Sequence, residues 1–127
     1  MRDRLVVVLA VAGGGAIGAL ARWALFRFSD SMAGVTWWAT LAVNAVGCLA
    51  MGLVVGALDR RGGGSAAMRA FVTTGILGGF TTFSAFAVDA VRLGQDAWWS
   101  AVVYAVATMV MSIGLVLAGL RLMRRPR

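Results

Sequence analysis

The sequence predicts an all-α integral membrane protein, in which four transmembrane helices form one domain over residues 1–127. Its residues are 61% hydrophobic and only 13% charged, whereas a soluble domain carries about 25% charged residues. Four apolar runs each approach the ~20 residues with which a helix crosses the hydrocarbon core of a bilayer. Glycine, serine and charged residues are concentrated between these runs, which predicts short loops outside the membrane.

The first span is predicted over residues 5–28, which is too long for the apolar region of a signal peptide, the alternative interpretation of this segment. Gly14 and Gly18 form a GxxxG pair, typical of close helix packing in membranes. Arg22 continues the same face one turn later, about 26 Å along the helix from its start. It is therefore either a snorkelling arginine at the membrane interface or a cation that faces a vestibule and attracts anions.

The second span is predicted over residues 36–58 and carries one polar face. Its polar residues recur at every fourth position, and residues four apart share a helix face. They are Thr36, Thr40, Asn44 and Cys48. An asparagine at membrane depth needs a partner, so Asn44 faces either a neighbouring helix or a hydrophilic path. Gly52 and Gly56 form a second GxxxG pair, which we interpret as helix packing.

The third span is predicted over residues 68–92, with a break at Gly78 to Thr82, because two adjacent glycines followed by two threonines interrupt a helix. We expect a threonine to cap the half that restarts. Such breaks recur at ion sites, since free carbonyls suit a cation and free amides suit an anion. A kink used only for packing is the alternative. Phe83 and Phe86 share a face of the second half, and their positive ring edges suit a desolvated anion.

The fourth span is predicted over residues 97–122 and repeats the polar spacing of the second. Its polar residues are Ser100, Tyr104, Thr108 and Ser112. Serine and threonine hydroxyls commonly bond back to their own helix, which would require no function. Two such faces in one small bundle, one of them with an asparagine, instead favour a hydrophilic path between the helices.

The positions of the arginines predict how the chain is oriented. The formal net charge is +7, and every positive side chain is an arginine. With four spans, both termini and the loop after the second span share one side of the membrane. That side holds Arg2, Arg4, Arg60, Arg61, Arg69, Arg121, Arg124, Arg125 and Arg127, whereas the two opposite loops hold Arg27 and Arg92. The positive-inside rule therefore predicts a multi-pass protein of the plasma or inner membrane, with both termini cytoplasmic.

Residue types that are missing argue against several classes of protein. The chain has no His and no Glu, and its only cysteine is Cys48, so neither a disulfide nor a Cys/His metal site is expected. Without an acid/base pair we do not expect an enzyme. A small four-helix proton-coupled transporter fits the size, but the deepest acidic residue, Asp89, lies near the end of a span. A structural subunit of another membrane complex would not need the break or the phenylalanine pair.

Three motifs, in order along nearly the whole chain, resemble the Fluc/CrcB family of fluoride channels. They are GGAIGALAR at residues 14–22, TLAVNAVG at residues 40–47 and the highly specific GGFTTFSAF at residues 78–86. The resemblance implies an antiparallel dimer with two pores, through which fluoride leaves the cytoplasm passively. The chain departs from the family pattern at Ala85, where a hydroxyl is common, and at Trp23, where tyrosine is usual.

The resemblance also implies roles for individual residues. Phe83 and Phe86 would line the pore with their ring edges toward fluoride, and Asn44 would donate a hydrogen bond to it. The further pore residues would be Tyr104, Thr108 and Ser112 on the fourth span and Arg22 in the vestibule. The backbone carbonyls of Gly78 and Thr81, doubled by the inverted partner, would hold a structural Na+ that is not transported.

The strong arginine bias has a consequence for the partner. An inverted homodimer requires one chain to insert in both orientations, which needs similar numbers of arginines on the two sides. Nine against two is not balanced. We therefore hypothesise that the chain inserts only with its termini inside and pairs with an oppositely oriented homologue.

Overall fold

All secondary structure in the described part of the protein is helical. The structure is a computed structural model that describes the backbone of residues 1–33 and 37–123 and the side chains of residues 1–29 and 37–123. Thr36, Arg124, Arg125 and Arg127, which the sequence analysis assigns to a polar face or to the arginine-rich side, lie outside the described residues. Four helical stretches are long and apolar enough to cross a membrane. The prediction of an all-α, four-span chain is confirmed.

The third span differs from the other three because it is assembled from several pieces. The four spans are Arg2–Ser29, Trp37–Arg60, Ala66–Asp96 and Trp98–Met123. Three of them are single helices, namely α1 (Arg2–Ala33), α2 (Trp37–Arg60) and α6 (Trp98–Met123). The third consists of α3 (Ala66–Ala70), a π-helical segment (Phe71–Leu77), α4 (Gly78–Phe80) and α5 (Phe83–Asp96). Irregular backbone is therefore confined to one span of the bundle.

Large apolar side chains cover the outside of the bundle. Val8, Leu20 and Val110 are between 62% and 66% exposed. The buried apolar residues of the described chain are Ala39, Val43, Leu77 and Tyr104. An apolar exterior of this extent is stable in contact with lipid and not with water. The chain is therefore a multi-pass membrane protein.

Glycines bring the spans into backbone contact. A Cβ atom at Gly18 of α1 would collide with the carbonyl oxygen of Ile76 in the third span, and Gly14 packs in the same way one turn earlier. Gly52 of α2 meets α6 similarly, because a Cβ there would collide with the carbonyl oxygen of Val116. The packing role expected for the GxxxG pairs is confirmed at these positions.

The structure confines the interruption, expected at Gly78 to Thr82, to its last two residues. The backbone of Thr81 and Thr82 is extended, with ψ angles of 158° and 126°. Thr81 still donates its N–H to the carbonyl oxygen of Leu77, as in a helix, at 3.0 Å. Thr82 instead donates its N–H to Oδ1 of Asn44 on α2, at 2.8 Å. The helix ends where a side chain from another span replaces the carbonyl four residues back, whereas Gly78 and Gly79 remain helical.

Candidate ion site at the interrupted span

Asn44 holds the interruption from across the bundle. Its Oδ1 accepts the N–H of Thr82 at 2.8 Å, and its Nδ2 donates to the carbonyl oxygen of Thr82 at 3.0 Å. Both residues are buried. A buried backbone group without a partner costs about 1–3 kcal/mol, so one amide satisfies two groups of the interrupted backbone. Nδ2 has a second N–H, which these two bonds do not use.

Threonine side chains close the two helix ends at the interruption. Thr82 caps α5, since its Oγ1 accepts the N–H of Ala85 at 3.2 Å. Thr81 donates its hydroxyl to the carbonyl oxygen of Leu77 at 3.0 Å. The threonine cap expected for the restarting half is confirmed. Asn44 and the two threonines thus provide hydrogen-bond partners for most of the backbone groups at the interruption. The interruption is therefore stabilised by the fold.

Two carbonyl oxygens beside the interruption accept no hydrogen bond from the described residues, those of Gly78 and Thr81. The N–H of Thr82 would return to Gly78 in a continuous helix, but Asn44 takes it. Gly78 lies on the surface of the isolated chain, and Thr81 is half-buried. Carbonyl oxygens suit a hard cation, and the described residues contain no cluster of three Cys or Asp side chains that could serve instead.

A cavity of about 350 Å³ opens beside Asn44 and Thr82. It is lined by Asn44, Cys48, Thr81, Thr82, Phe83, Phe86, Thr108, Met109, Ser112 and Ile113. The polar face of α2 therefore meets that of α6 at the start of α5. Five of the residues expected in the pore share this space, namely Asn44, Phe83, Phe86, Thr108 and Ser112.

Three aromatic rings form a row that begins at this cavity with two rings of α5 and ends with one of α6. The ring centroids of Phe83 and Phe86 are 5.4 Å apart. Phe86 stacks on Tyr104 at 5.5 Å with an interplanar angle of 26°. Tyr104 does not line the cavity that contains Asn44; it lines a neighbouring one of about 320 Å³ together with Trp37. Tyr104 thus extends the candidate path towards the ends of α2 and α6 at which Trp37 and Trp99 lie.

Several buried polar atoms near this row have no hydrogen-bond partner among the described residues. They include the Tyr104 hydroxyl, Thr108 Oγ1 and Asp89 Oδ2. The three residues are between 5% and 6% exposed. Buried polar atoms normally have partners, so these are candidates for contact with an ion or water. Asp89 was not among the residues expected in the pore, although its position three residues after Phe86 places both on one face of α5.

Arg22 contacts the interrupted span from α1. Its Nε donates to the carbonyl oxygen of Gly79 at 3.3 Å, and the residue is half-buried. A cation at the carboxyl end of a helix is favourable, here at the end of α4. This contact joins Arg22 to a neighbouring span and so argues against snorkelling, while a role in a vestibule stays a prediction. Arg22 does not line the cavity beside Asn44.

The polar face of α6 has two parts with different surroundings. Ser100 Oγ lies 2.6 Å from the carbonyl oxygens of both Leu93 and Ala97. Its hydroxyl is therefore used by nearby backbone, which is the alternative that the sequence left open. Thr108 and Ser112, two and three turns later, line the cavity.

Comparison with known proteins identifies the family of this chain. Residues 9–120 match the family described as CrcB-like protein, Camphor Resistance (CrcB). The chain belongs to the CrcB family. Every residue that lines the cavity beside Asn44 falls within this CrcB match.

Relatives named fluoride-specific ion channel FluC match the chain over nearly its whole length. The relative from Agrobacterium fabrum is 45% identical, over 94% of this chain and 98% of its own. The relative from Rhizobium leguminosarum is 42% identical over the same shares. That from Paracoccus denitrificans is 44% identical over 88% of this chain and 90% of its own.

Proposed function

We propose that this chain is a fluoride-specific ion channel of the cell membrane, through which fluoride leaves the cytoplasm passively and so becomes less toxic. The observation that carries the proposal is the cavity at the interrupted span, where a phenylalanine pair, an asparagine amide and buried hydroxyls meet. The chain's membership of the CrcB family supports the same conclusion. So do relatives named as fluoride channels, which are up to 45% identical to it.

The residues at the cavity match the chemical needs of a small anion. An ion enters a narrow path only if the protein replaces its hydration shell. At the cavity, Thr108 offers a buried hydroxyl and Asn44 a second N–H, and the buried hydroxyl of Tyr104 lies beyond the cavity, next to Phe86. The rings of Phe83 and Phe86 would add their positive edges. Together these groups supply donors of modest strength, from which a bound fluoride can leave again.

An antiparallel dimer with two pores would complete a site that the single chain leaves open. Phe83 is 78% exposed although it lines the cavity beside Asn44. Lipid could cover the ring itself, but it would leave the Asn44 amide and the hydroxyls of the cavity without polar partners, and an inverted partner would cover them instead. We propose that each pore is formed where the partner covers α5.

The carbonyl oxygens of Gly78 and Thr81 support a structural Na+ at the centre of this dimer. Neither accepts a hydrogen bond from the described residues, and oxygen ligands suit a hard cation. An inverted partner would contribute a second pair of carbonyls. The ion would hold the two interrupted spans together without being transported. Replacing Na+ with a large organic cation is expected to lower the thermal unfolding temperature of the dimer.

The arginine bias supports an orientation with both termini in the cytoplasm. Nine arginines fall on the side of the termini, against two in the opposite loops. A chain biased in this way would insert in one orientation. We propose that its partner is a homologue with the opposite bias.

Growth of bacteria that lack their own fluoride export tests the proposed function. We expect the chain, alone or with an oppositely oriented homologue, to restore growth in fluoride. Phe83→Ile should abolish the effect because it removes a ring edge from the cavity. Phe28→Ile, the same substitution at an exposed residue outside this cavity, should retain it.

Two results would contradict the fluoride channel. A chain that reaches the membrane without protecting the cells, in either combination, would indicate a structural subunit. Protection that disappears when the proton gradient is collapsed would indicate a proton-coupled transporter, for which the buried Asp89 offers the one carboxylate in the described membrane-spanning helices that is nine-tenths buried.

A further inference from the structure

The carboxyl ends of α2 and α6 enclose a second concave site on the arginine-rich side of the membrane. Arg60 and Arg61 line it together with Ala57 and Met123, and its volume is about 330 Å³. It shares no lining residue with the cavity beside Asn44. Because α2 ends at Arg60, beside the site, the site lies at the level where the hydrocarbon core gives way to lipid headgroups.

Among the described residues, no carboxylate pairs with the two arginines of this site. The nearest acidic residue in the sequence, Asp59, accepts a hydrogen bond at 2.8 Å from Nη1 of Arg69. No other ion pair is present among the described residues. Arg60 and Arg61 are both exposed. Their planar guanidinium groups are therefore free to bind a phosphate, which they can contact through two parallel hydrogen bonds.

The backbone fixes where the two arginines stand. Gly62, Gly63 and Gly64 have φ angles of 84°, 87° and 67°, which glycine adopts without strain. The N–H of Gly63 donates to the carbonyl oxygen of Leu58 at 2.8 Å and so closes the end of α2. Arg60 thus belongs to the last turn of a packed helix, and Arg61 follows it directly.

The floor of the site is apolar and tightly packed. Gly56 has no side chain, so Met123 reaches α2; a Cβ atom at Gly56 would lie 2.5 Å from that of Met123. Ala57 lies next to this contact and also lines the site. A cationic rim above an apolar floor matches a molecule with a phosphate at one end and hydrocarbon below it. Free phosphate would use the rim alone.

We propose that this site binds an anionic phospholipid. Arg60 and Arg61 contact the phosphate, while Ala57 and Met123 contact the glycerol and the first acyl carbons. Basic pockets between transmembrane helices on the cytoplasmic side are suited to anionic headgroups. The proposal rests on the ends of α2 and α6 and does not depend on which ion the chain conducts.

Titration of the purified chain with phosphatidylglycerol in detergent, followed by native mass spectrometry, tests the proposal. Each arginine near an anionic headgroup contributes roughly a factor of five, so Arg60→Gln/Arg61→Gln should raise the dissociation constant at least about ten-fold. Arg2→Gln/Arg4→Gln removes the same charge on the same side, outside the site, and should change it less than about two-fold. Phosphatidylcholine should bind weakly to all three proteins.

Other outcomes would overturn the lipid site. Equal weakening by the two double variants would mean a general attraction to anionic lipid. Inorganic phosphate that displaces the lipid at equal concentration would mean that the apolar floor contributes nothing. If the glutamine variant does not fold, Arg60→Lys/Arg61→Lys keeps both charges and should weaken binding several-fold; unchanged binding would contradict a contact through guanidinium forks.

Discussion

Asn44 is the residue on which the geometry of the candidate site depends. Its amide pairs with both backbone groups of Thr82, so it sets the place where the third span stops being helical. The same side chain lines the cavity with its remaining N–H available. Asn44 thus combines two roles, positioning the interruption and supplying a donor for an anion.

Replacing Asn44 with Asp tests both roles, because the side chain keeps nearly the same size but loses its N–H groups. The carboxylate would lose the donor to the Thr82 carbonyl oxygen and place a negative charge beside the cavity. We expect a loss of about 1–3 kcal/mol in the free energy of unfolding, and fluoride efflux from liposomes lowered by at least about ten-fold through repulsion of the anion. Cys48→Ser, on the same face, should leave both nearly unchanged. An Asn44→Asp variant that conducts like the parent would contradict the assigned roles.

Arg22 illustrates a charge that acts through the backbone. Its bond to the Gly79 carbonyl oxygen is expected to stabilise the carboxyl end of α4. Arg22→Met should therefore lower the free energy of unfolding by about 1.5–3 kcal/mol, the range for a charged hydrogen bond. Arg27→Met removes an exposed arginine from the same helix and should cost less than about 0.5 kcal/mol. Thermal unfolding in detergent measures both, and equal effects would show that the contact adds no stability.

At the scale of elements, contact between α1 and the third span supports the interruption from the opposite side to Asn44. Gly18 lies against the carbonyl oxygen of Ile76 and the backbone of Gly79 and Phe80. Such a contact leaves no room for a side chain. The two ends of the interruption are therefore held by different spans, α1 before it and α2 within it.

Substitutions at two glycines of α1 test this packing. Gly18→Ala forces a methyl group into backbone atoms, so we expect a loss of about 1–3 kcal/mol or more in the free energy of unfolding. Gly13→Ala meets no atom within 4 Å and should be neutral or stabilise α1 by about 0.5–1 kcal/mol. The unfolding temperatures in detergent give the answer. A Gly18→Ala variant as stable as Gly13→Ala would show that the close approach is not needed.

The number and type of the spans could be predicted from the sequence, because apolar length and charge spacing are local properties. The extent of the interruption could not. Gly78 suggested a break, but it remains helical; the helix ends instead where Asn44, 38 residues away, takes the N–H of Thr82. The polar residues of α2 and α6 that line the cavity could be predicted from their four-residue spacing. The burial of Asp89 could not, since it depends on how α5 packs against α6.

At the scale of the whole molecule, the chain is asymmetric in charge, and its candidate site is open on its surface. Its arginines favour one side of the membrane, while Phe83 and Gly78 lie open on its surface. Both features agree with the proposed partner that runs in the opposite direction. The match to the CrcB family also concerns the whole molecule, since residues 9–120 reach from the first span to the fourth.

Labelling of introduced cysteines tests the orientation. In a Cys48→Ser background, Asp3→Cys and Gln95→Cys place thiols at exposed positions on the two sides. We expect an impermeant reagent added to whole cells to label Gln95→Cys alone, because the arginine bias predicts that the termini lie in the cytoplasm. Equal labelling of both variants would mean insertion in two orientations and would refute pairing with a homologue of opposite bias.

Fluoride efflux from liposomes tests whether this chain forms a fluoride-selective channel. The chain is reconstituted alone and with an oppositely oriented homologue, and a fluoride electrode follows release against a chloride control. We expect rapid fluoride efflux with little chloride efflux in at least one of the two preparations. The Phe83→Ile variant should lose the fluoride efflux. Equal efflux of both anions, or no fluoride efflux in either preparation, would contradict this expectation.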